Sequence, residues 1–450
     1  MTPAAAPEPA LGAPPPGRPV PARLRKIHVV AFGCQMSAAD GEELARPLLE
    51  RGLVQVADLE DADAVILNTC TVRQHAEDRA LSYLGRLEDW KRRRPDAFLI
   101  VAGCAAERLG DRLRRRFPHV DLVVGAKSIE AYPELLEAAL RRRFDWKDDD
   151  APAWPAGGAP PGSSPGSPAS SFVTVMRGCN YSCTYCIVPA VRGRELYRPL
   201  ATILEETRRR VAGGAKEIFL LGQTVNSYRA PEGGDFADLL RAVGEVPGVE
   251  RLRFMSPHPR FATPRMLQAL AQVRQVCPHL HLPAQSGSDR VLARMRRNYT
   301  AASFLAVVDA ARRAVPGLAV TTDVIVGFPG ETEDDFQASL RLVERLDPAS
   351  AYCFMFSPRE GTEAASCEGA VPEPVKQERL QRLLALVEER QKRHLRAQLG
   401  REVTVLLEDE RRGRTGHFFN ARLDVPGAPG ELVRATVTGC VATGLAVSRR

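Results

Sequence analysis

The chain has 450 residues, 44% of them hydrophobic and 26% charged, with a net charge of +7. That length has room for about three domains, each with its own core, and the composition is that of a soluble globular protein rather than a disordered or fibrous one. No apolar run approaches the roughly 20 residues of a membrane helix, so no membrane partner is expected.

Residues 1–22, "MTPAAAPEPALGAPPPGRPVPA", are rich in Ala and Pro and read as a disordered tail. They lack the charged start and apolar middle of a signal peptide. A cytoplasmic location with reduced cysteines is therefore expected.

Residues 23–147 carry three continuous apolar runs, "KIHVVAFGC", "ADAVILNTC" and "AFLIVAGC". Such runs suit strands buried on both faces of a parallel sheet. Helical stretches follow the first two, "GEELARPLLERGL" and "AEDRALSYLGRLEDWKRRR", which makes a βαβαβ pattern. Each run ends in a cysteine: Cys34, Cys70 and Cys104, separated by 36 and 34 residues. Neighbouring parallel strands end at one sheet edge, where ligands bind, so these three thiols are expected to converge. They could form a three-thiolate metal site or be three buried cysteines at strand ends.

Residues 148–170 are dominated by Pro, Gly and Ser and read as a flexible linker. Residues 171–400 follow, with apolar strands at "FVTVMRGC", "EIFLLGQ", "RLRFMSPH", "HLHLPAQ", "VTTDVIVGF" and "YCFMFSP". Helical stretches lie among them, so a partial (β/α)6 barrel is expected. Just after the first strand, Cys179, Cys183 and Cys186 fall within eight positions. Structural zinc usually takes four ligands, and no second pair follows. Three thiolates suit a 4Fe–4S cluster with one iron open to an outside ligand; the plain alternative is three core cysteines. Polar groups close the other strands: Gln223 and Asn226, His258, Gln285 with Ser286 and Asp289, then Asp323. On the C-terminal face of such a barrel they suggest one pocket. Gly213 and Gly214 before the second strand read either as part of it or as a helix C-cap. His281, alternating with apolar neighbours, reads as a packed or hydrogen-bonded side chain. Cys277, Cys353, Cys367 and Cys440 show no spacing pattern and read as structural.

Residues 401–450 hold short alternating strands, "EVTVLLE", "LVRATVT" and "GLAVSR", as in a small β-barrel of the oligonucleotide-binding sort. From Val375 onward there are 15 Lys/Arg against 9 Asp/Glu, a net +6 that is nearly the whole excess. A basic module suggests a polyanion partner or an ordinary solvated surface. Arg411, Arg412, Arg414, Arg422 and Arg434 are the candidate RNA-phosphate contacts, and "HFF" at 417–419 offers stacking surfaces. A folding appendage with no ligand is the other reading.

The motif "CNYSCTYC" resembles the Cys-x-x-x-Cys-x-x-Cys signature of radical S-adenosylmethionine (SAM) enzymes. With "LGQTVNSY", "SPHP", "LPAQSGSDRVL" and "TDVIVGFPGETEDDF", the three segments in order resemble the radical-SAM methylthiotransferases. The resemblance implies an α/β chain: an N-terminal parallel-sheet cluster domain, a radical-SAM barrel and a C-terminal TRAM-like barrel. It implies two 4Fe–4S clusters, an auxiliary one on Cys34, Cys70 and Cys104 and a radical-SAM one on Cys179, Cys183 and Cys186. SAM would lie against Gly213, Gly214, Gln223, Asn226, His258, Gln285 and Asp323. "FGCQMS" and "NTCTVRQHAEDRA" are similar to the branch that methylthiolates C2 of N6-isopentenyladenosine beside the tRNA anticodon, using two SAM molecules. A branch acting on threonylcarbamoyladenosine tends to have Thr where this chain has Arg73, and one acting on a ribosomal-protein aspartate has Pro-Lys in place of Gln35–Met36. Two positions depart from the usual motifs, Ser37 and Thr224, each where Asn is usual; neither is expected to touch a cysteine. The anticodon loop of tRNA, an electron donor and a sulfur source are the implied partners of a monomeric enzyme. A non-catalytic iron–sulfur carrier or scaffold, which would usually close its cluster with a fourth protein ligand, and a zinc-dependent RNA-binding module are the readings from other classes.

Overall fold

The computed structural model describes residues 24–144 and 169–450. The expected tail and nearly all of the expected linker lie outside them. The chain divides into two compact units, Met1–Pro161 and Gly162–Arg450.

The first unit is built on a five-stranded parallel sheet. Its strands are β1 (Lys26–Ala31), β2 (Val54–Gln55), β3 (Ala64–Thr69), β4 (Phe98–Gly103) and β5 (Leu122–Gly125), in the order β2-β1-β3-β4-β5. Every residue of β3 and β4 is buried, because each strand feeds two cores. Ile27, Ile66 and Ile100 pack on one face with Leu44 and Leu48, while Val65, Leu67, Leu99 and Val101 pack on the other with Leu84, Leu87 and Trp90. Two-sided burial is why these runs show no alternation in sequence. The helices Gln35–Leu49 and Gln74–Arg93 follow β1 and β3. β5 and the helices Cys104–Leu109, Asp111–Arg116 and Tyr132–Phe144 complete the unit.

The second unit opens with β6 (Ser170–Thr174) and a short hairpin of β7 (Met176–Arg177) and β8 (Leu196–Tyr197). Five further strands follow: β9 (Glu217–Leu221), β10 (Arg251–Phe254), β11 (His279–His281), β12 (Ala319–Val326) and β13 (Ser350–Met355). They form two parallel three-stranded sheets, β10-β9-β6 and β11-β12-β13. Cys277 N donates to Leu252 O at 3.0 Å and Leu252 N to Gln275 O at 2.7 Å, which ties β10 to the residues before β11. The six strands thus run in chain order around an open half-barrel, as expected. One apolar core, including Ile218, Leu220, Leu252, Leu280 and Val320, packs the strands against the helices around them.

A closed five-stranded barrel ends the chain: β14 (Glu402–Leu407), β15 (Arg412–Thr415), β16 (Asn420–Leu423), β17 (Leu432–Val441) and β18 (Gly444–Arg449), in the order β14-β15-β16-β18-β17. Two of these strands, β15 and β16, are not among the three strands expected from the sequence. Their arginines alternate outward while Gly413, Thr415, Ala421 and Leu423 face in. The expected stacking role of "HFF" is corrected. Phe418 stacks on His279 at 4.7 Å between ring centres and lies under the Arg253 guanidinium, while Phe419 belongs to the barrel core.

The barrel sits at the start of the half-barrel strands, held by two buried arginines of β10. Arg251 donates to Arg414 O at 2.8 Å and Thr404 O at 2.5 Å; Arg253 donates to Gly416 O at 3.0 Å and Thr415 O at 2.7 Å. Arg253 also pairs with Glu217 at 2.6 Å, both side chains under 5% exposed. Removing one member of such a pair leaves a buried charge, at a cost of about 3–5 kcal/mol. Arg253→Met is therefore expected to lower unfolding stability by about that amount, and Glu217→Gln added to it to recover part of the loss. Denaturant unfolding of the variants, followed with limited proteolysis near 397–401, checks this. Unchanged stability in Arg253→Met would show that the barrel is held by something else.

Two candidate cysteine centres

In the first unit the loops after β1, β3 and β4 deliver the three cysteines. Cys34 caps the helix Gln35–Leu49, Cys70 follows β3 directly, and Cys104 opens the helix Cys104–Leu109. The Cys34 and Cys70 thiols are hydrogen-bonded, and Cys104 is near enough to act on Cys70 electrostatically. That bond, burial and the two neighbouring sulfurs together push the Cys70 thiol far above its usual range. Gly33 makes the approach possible. Its φ is +132°, and a Cβ there would stand 2.3 Å from Cys70 Cβ and 2.9 Å from Cys70 Sγ.

The flanking polar residues brace these loops. Asn68 Nδ2 donates to Ser37 O at 2.6 Å, and Thr69 Oγ1 donates to Ala102 O at 2.6 Å and accepts from Ala106 N at 3.2 Å. Buried Glu77 takes hydrogen bonds from Thr71 and Arg108, and Arg73 reaches Gly33 O at 3.1 Å. The "NTCTVR" stretch thus ties the second cysteine loop to the other two.

In the second unit the loop after β7 carries Cys179, Cys183 and Cys186. Thr184 fastens it, with N to Met295 O at 3.2 Å and Oγ1 to Arg294 O at 2.9 Å, while Asn180 pairs with Glu195. Burial pushes the Cys186 thiol up to about 12 and raises that of Cys179. Arg297, 7% exposed, donates from Nη1 to Cys183 Sγ at 3.6 Å and from Nε to Tyr299 OH at 3.1 Å. Burial opposes its charge, and the contacts with Tyr299 OH and Cys183 Sγ act against that opposition. Tyr181, inside the cysteine loop, stacks on His258 at 4.5 Å with 13° between planes.

All ten cysteines are outside disulfides. Among the described residues, no three Cys, His, Asp or Glu side chains are drawn together as the ligands of one ion would be. Polar atoms without partners mark the second centre as well. Gln223 Oε1 and His258 Nε2 are buried and meet no donor or acceptor of the protein. His258 Nδ1 accepts from Arg260 N at 3.2 Å, so the ring proton sits on Nε2. Burial, with Arg297 and Arg260, lowers the pKa of His258 to about 3, so the ring is neutral near pH 7. A ligand with polar atoms would meet these two groups.

The other residues singled out in sequence take varied places. Asn226 is occupied in positioning His258, donating to its O at 3.0 Å and accepting from its N at 2.7 Å. Gln285, at a φ of +68° and four residues past β11, bridges to β12 with backbone bonds to Asp323 O and Ile325 N, both 2.8 Å. Asp323 Oδ1 lies 3.5 Å from His281 Nε2, and His281 also meets Thr321 Oγ1 at 3.0 Å. Ser286 turns to Ser339 and Asp289 caps Ala301 N. Gly213 and Gly214 are corrected: Gly213 caps the helix Leu200–Ala212, and both precede β9, at the opposite end of that strand from Gln223. The expectation that Ser37 and Thr224 avoid the cysteines is also corrected. Ser37 Oγ lies 3.7 Å from Cys34 Sγ and Thr224 Oγ1 3.4 Å from Cys179 Sγ. Sequence reasoning missed Arg297, which sits in "RMRRNYT" and reads there as one solvated charge among several.

Of the barrel arginines, Arg411 donates to Asp424 O at 2.6 Å, Arg412 pairs with Asp409 at 2.6 Å and Arg414 with Glu408 at 2.9 Å. Arg422 and Arg434 stand exposed on β16 and β17.

Residues 173–343 match the model of the radical SAM superfamily, and residues 26–125 that of the uncharacterized protein family UPF0004. The chain is 44% identical over 404 residues to a tRNA-2-methylthio-N(6)-dimethylallyladenosine synthase of Mycobacterium bovis, covering 88% of this chain and 78% of that one. Synthases of the same name from Anaeromyxobacter dehalogenans and Syntrophotalea carbinolica are 43% and 40% identical, with 91% and 88% of this chain and 90% and 91% of theirs covered. In fold it is similar to the radical SAM methyltransferase TsrM of Kitasatospora setae, with a TM-score of 0.57 at 16% identity over 76% of this chain and 77% of that one. The chain belongs to the radical-SAM methylthiotransferases, in the family of the tRNA-2-methylthio-N(6)-dimethylallyladenosine synthases.

Proposed function

We propose that this chain transfers a methylthio group to C2 of N6-isopentenyladenosine next to the anticodon of tRNA. The observation that carries the reading is the convergence of Cys34, Cys70 and Cys104 at one sheet edge, in a chain that also carries Cys179, Cys183 and Cys186 on a half-barrel. Cys179, Cys183 and Cys186 would hold the radical-SAM cluster and the other set the auxiliary one, with SAM against Gln223, His258, Gln285, Asp323 and Arg297. When bound, the clusters and SAM supply one-electron chemistry that opens an aromatic C–H bond, together with the sulfur and methyl that replace the hydrogen.

The protein's own residues bind, orient and shield. Arg297 places a fixed positive charge on the Cys183 side, where ionised sulfur would collect. Tyr181 and His258 wall the cysteine loop with stacked rings, and Asn226 holds the histidine in place. The Nε2 proton of neutral His258 and the Gln223 carbonyl oxygen offer one donor and one acceptor to a polar ligand. An adenosine in a single-stranded loop can leave its stack at low cost to reach such a site. The Arg73 contact with Gly33 O ties the two motifs that resemble the isopentenyladenosine branch. A cytoplasmic monomer that draws on an external reductant and sulfur source completes the reading.

After anaerobic reconstitution about eight irons per chain are expected, four per cluster. Converting Cys179, Cys183 and Cys186 to Ala should halve the count. A wild-type count that never exceeds about four would leave the strand-end cysteines structural. The Cys34/Cys70/Cys104 triple Ala variant should still cleave SAM to 5′-deoxyadenosine yet form no methylthio product on tRNA. Methylthiolated nucleoside from that variant, by mass spectrometry, would overturn the assignment of the sulfur-carrying site.

The exposed arginines of the barrel are the proposed grip on tRNA phosphates. Deleting the barrel would strip the carbonyl partners from Arg251 and Arg253, so point changes are the cleaner test. Arg422→Ala with Arg434→Ala should weaken tRNA binding and lower the slope of log affinity against log salt by about one unit per arginine. Equal affinity and equal slope across a salt series would assign the grip to other residues.

A further inference from the structure

The two positions at which the motifs depart from the family pattern carry hydroxyls, and each hydroxyl meets a cysteine of a different centre. Ser37 Oγ is 3.7 Å from Cys34 Sγ, and Thr224 Oγ1 is 3.4 Å from Cys179 Sγ. Both are almost wholly buried, at 1% and 3% exposure. Both are fixed by their own backbones. Ser37 N donates to Cys34 O at 2.9 Å and its carbonyl takes Asn68 Nδ2 at 2.6 Å; Thr224 O accepts from Ser227 N at 2.8 Å and Ser227 Oγ at 2.9 Å. A cysteine bound to iron has lost its proton, so in each pair the hydroxyl must be the donor and the sulfur the acceptor.

We propose that Ser37 and Thr224 are positioning residues that donate a hydrogen bond to one ligand sulfur of the cluster beside them and thereby raise its reduction potential. The proposal rests on the reading of the six cysteines as cluster ligands. Reduction adds one electron, taken from an external low-potential reductant, and the added negative charge spreads onto the sulfurs. A donor aimed at a sulfur favours that state over the oxidised one. Thr224, with the shorter contact, has the larger effect.

The test is a potentiometric titration of the reconstituted full-length chain, with dithionite as reductant and cluster signals read by electron paramagnetic resonance. The two triple Cys-to-Ala variants assign each signal to its centre. At a potential fixed near the wild-type midpoint, Thr224→Val should lower the reduced-to-oxidised ratio of the radical-SAM cluster about tenfold, which is about 59 mV for one electron. The auxiliary cluster should not move. Ser37→Ala should shift the auxiliary cluster alone, in the same direction and by less. Thr224→Ser and Ser37→Thr, which keep the hydroxyl, should restore the wild-type potentials. Unchanged potentials at full iron content would overturn the inference, as would failure of the hydroxyl-retaining variants to restore them. Loss of the cluster from Thr224→Val would overturn it too, since the hydroxyl would then serve retention. A wild-type chain that binds fewer than two clusters would instead remove the reading beneath it.

Discussion

In a parallel sheet every strand delivers its C-terminal end to the same edge, so residues one βα unit apart in sequence become neighbours in space. Both centres depend on that constraint. In the first unit it gathers Cys34, Cys70 and Cys104 from β1, β3 and β4, which are adjacent in the sheet. In the second it sets the cysteine loop, Gln223, His258 and Gln285 past the ends of strands that follow one another around the half-barrel. The two-sided burial of β3 and β4 makes the edge rigid, which a multi-thiolate site requires.

Gathering thiols has an electrostatic consequence. Sulfurs that would carry like charge oppose one another's ionisation, and burial adds to the opposition, as the raised Cys70 and Cys186 thiols show. Iron reverses that balance by its own charge. The protein contributes fixed donors: Arg297 toward Cys183, and hydroxyls toward Cys34 and Cys179. These are inexpensive in sequence, since each needs only one side chain on an already rigid turn. They are also hard to read there, because nothing local distinguishes Ser37 from any serine in the first turn of a helix.

That contrast describes how much was legible. Strands buried on both faces announce themselves as unbroken apolar runs, and a cysteine at the end of each run predicts convergence without any knowledge of side-chain direction. The half-barrel was legible for the same reason. What stayed hidden depends on which way a side chain turns. Arg296 and Arg297 are identical in sequence, yet one faces solvent and the other Cys183. Gly213 and Gly214 belong to the wrong end of β9, because a glycine pair marks a turn but not which turn. Asn226 looked like a ligand and is a brace, since its amide is satisfied by the His258 backbone. β15 and β16 were missed because their inward positions are Gly, Thr and Ala, small residues that fill a narrow barrel without looking like a core.

The barrel shows how charge can mislead about function. Its excess of arginine reads as a nucleic-acid surface, yet much of the basic side chain and the carbonyl face serve attachment and internal pairing. Arg251 and Arg253 approach from the half-barrel and bond barrel carbonyls, and Arg411, Arg412 and Arg414 are held by Asp424, Asp409 and Glu408. A guanidinium engaged in an ion pair must give up that partner to meet a phosphate, so it contributes less than one already exposed. Arg422 and Arg434 carry no such debt among the described contacts, and they flank β18 from the two strands paired with it. The rigid docking below them matters as much as their charge. Phosphate contacts position a nucleic acid without reading it, and positioning is useful only from a support that does not move relative to the half-barrel carrying the second cysteine centre.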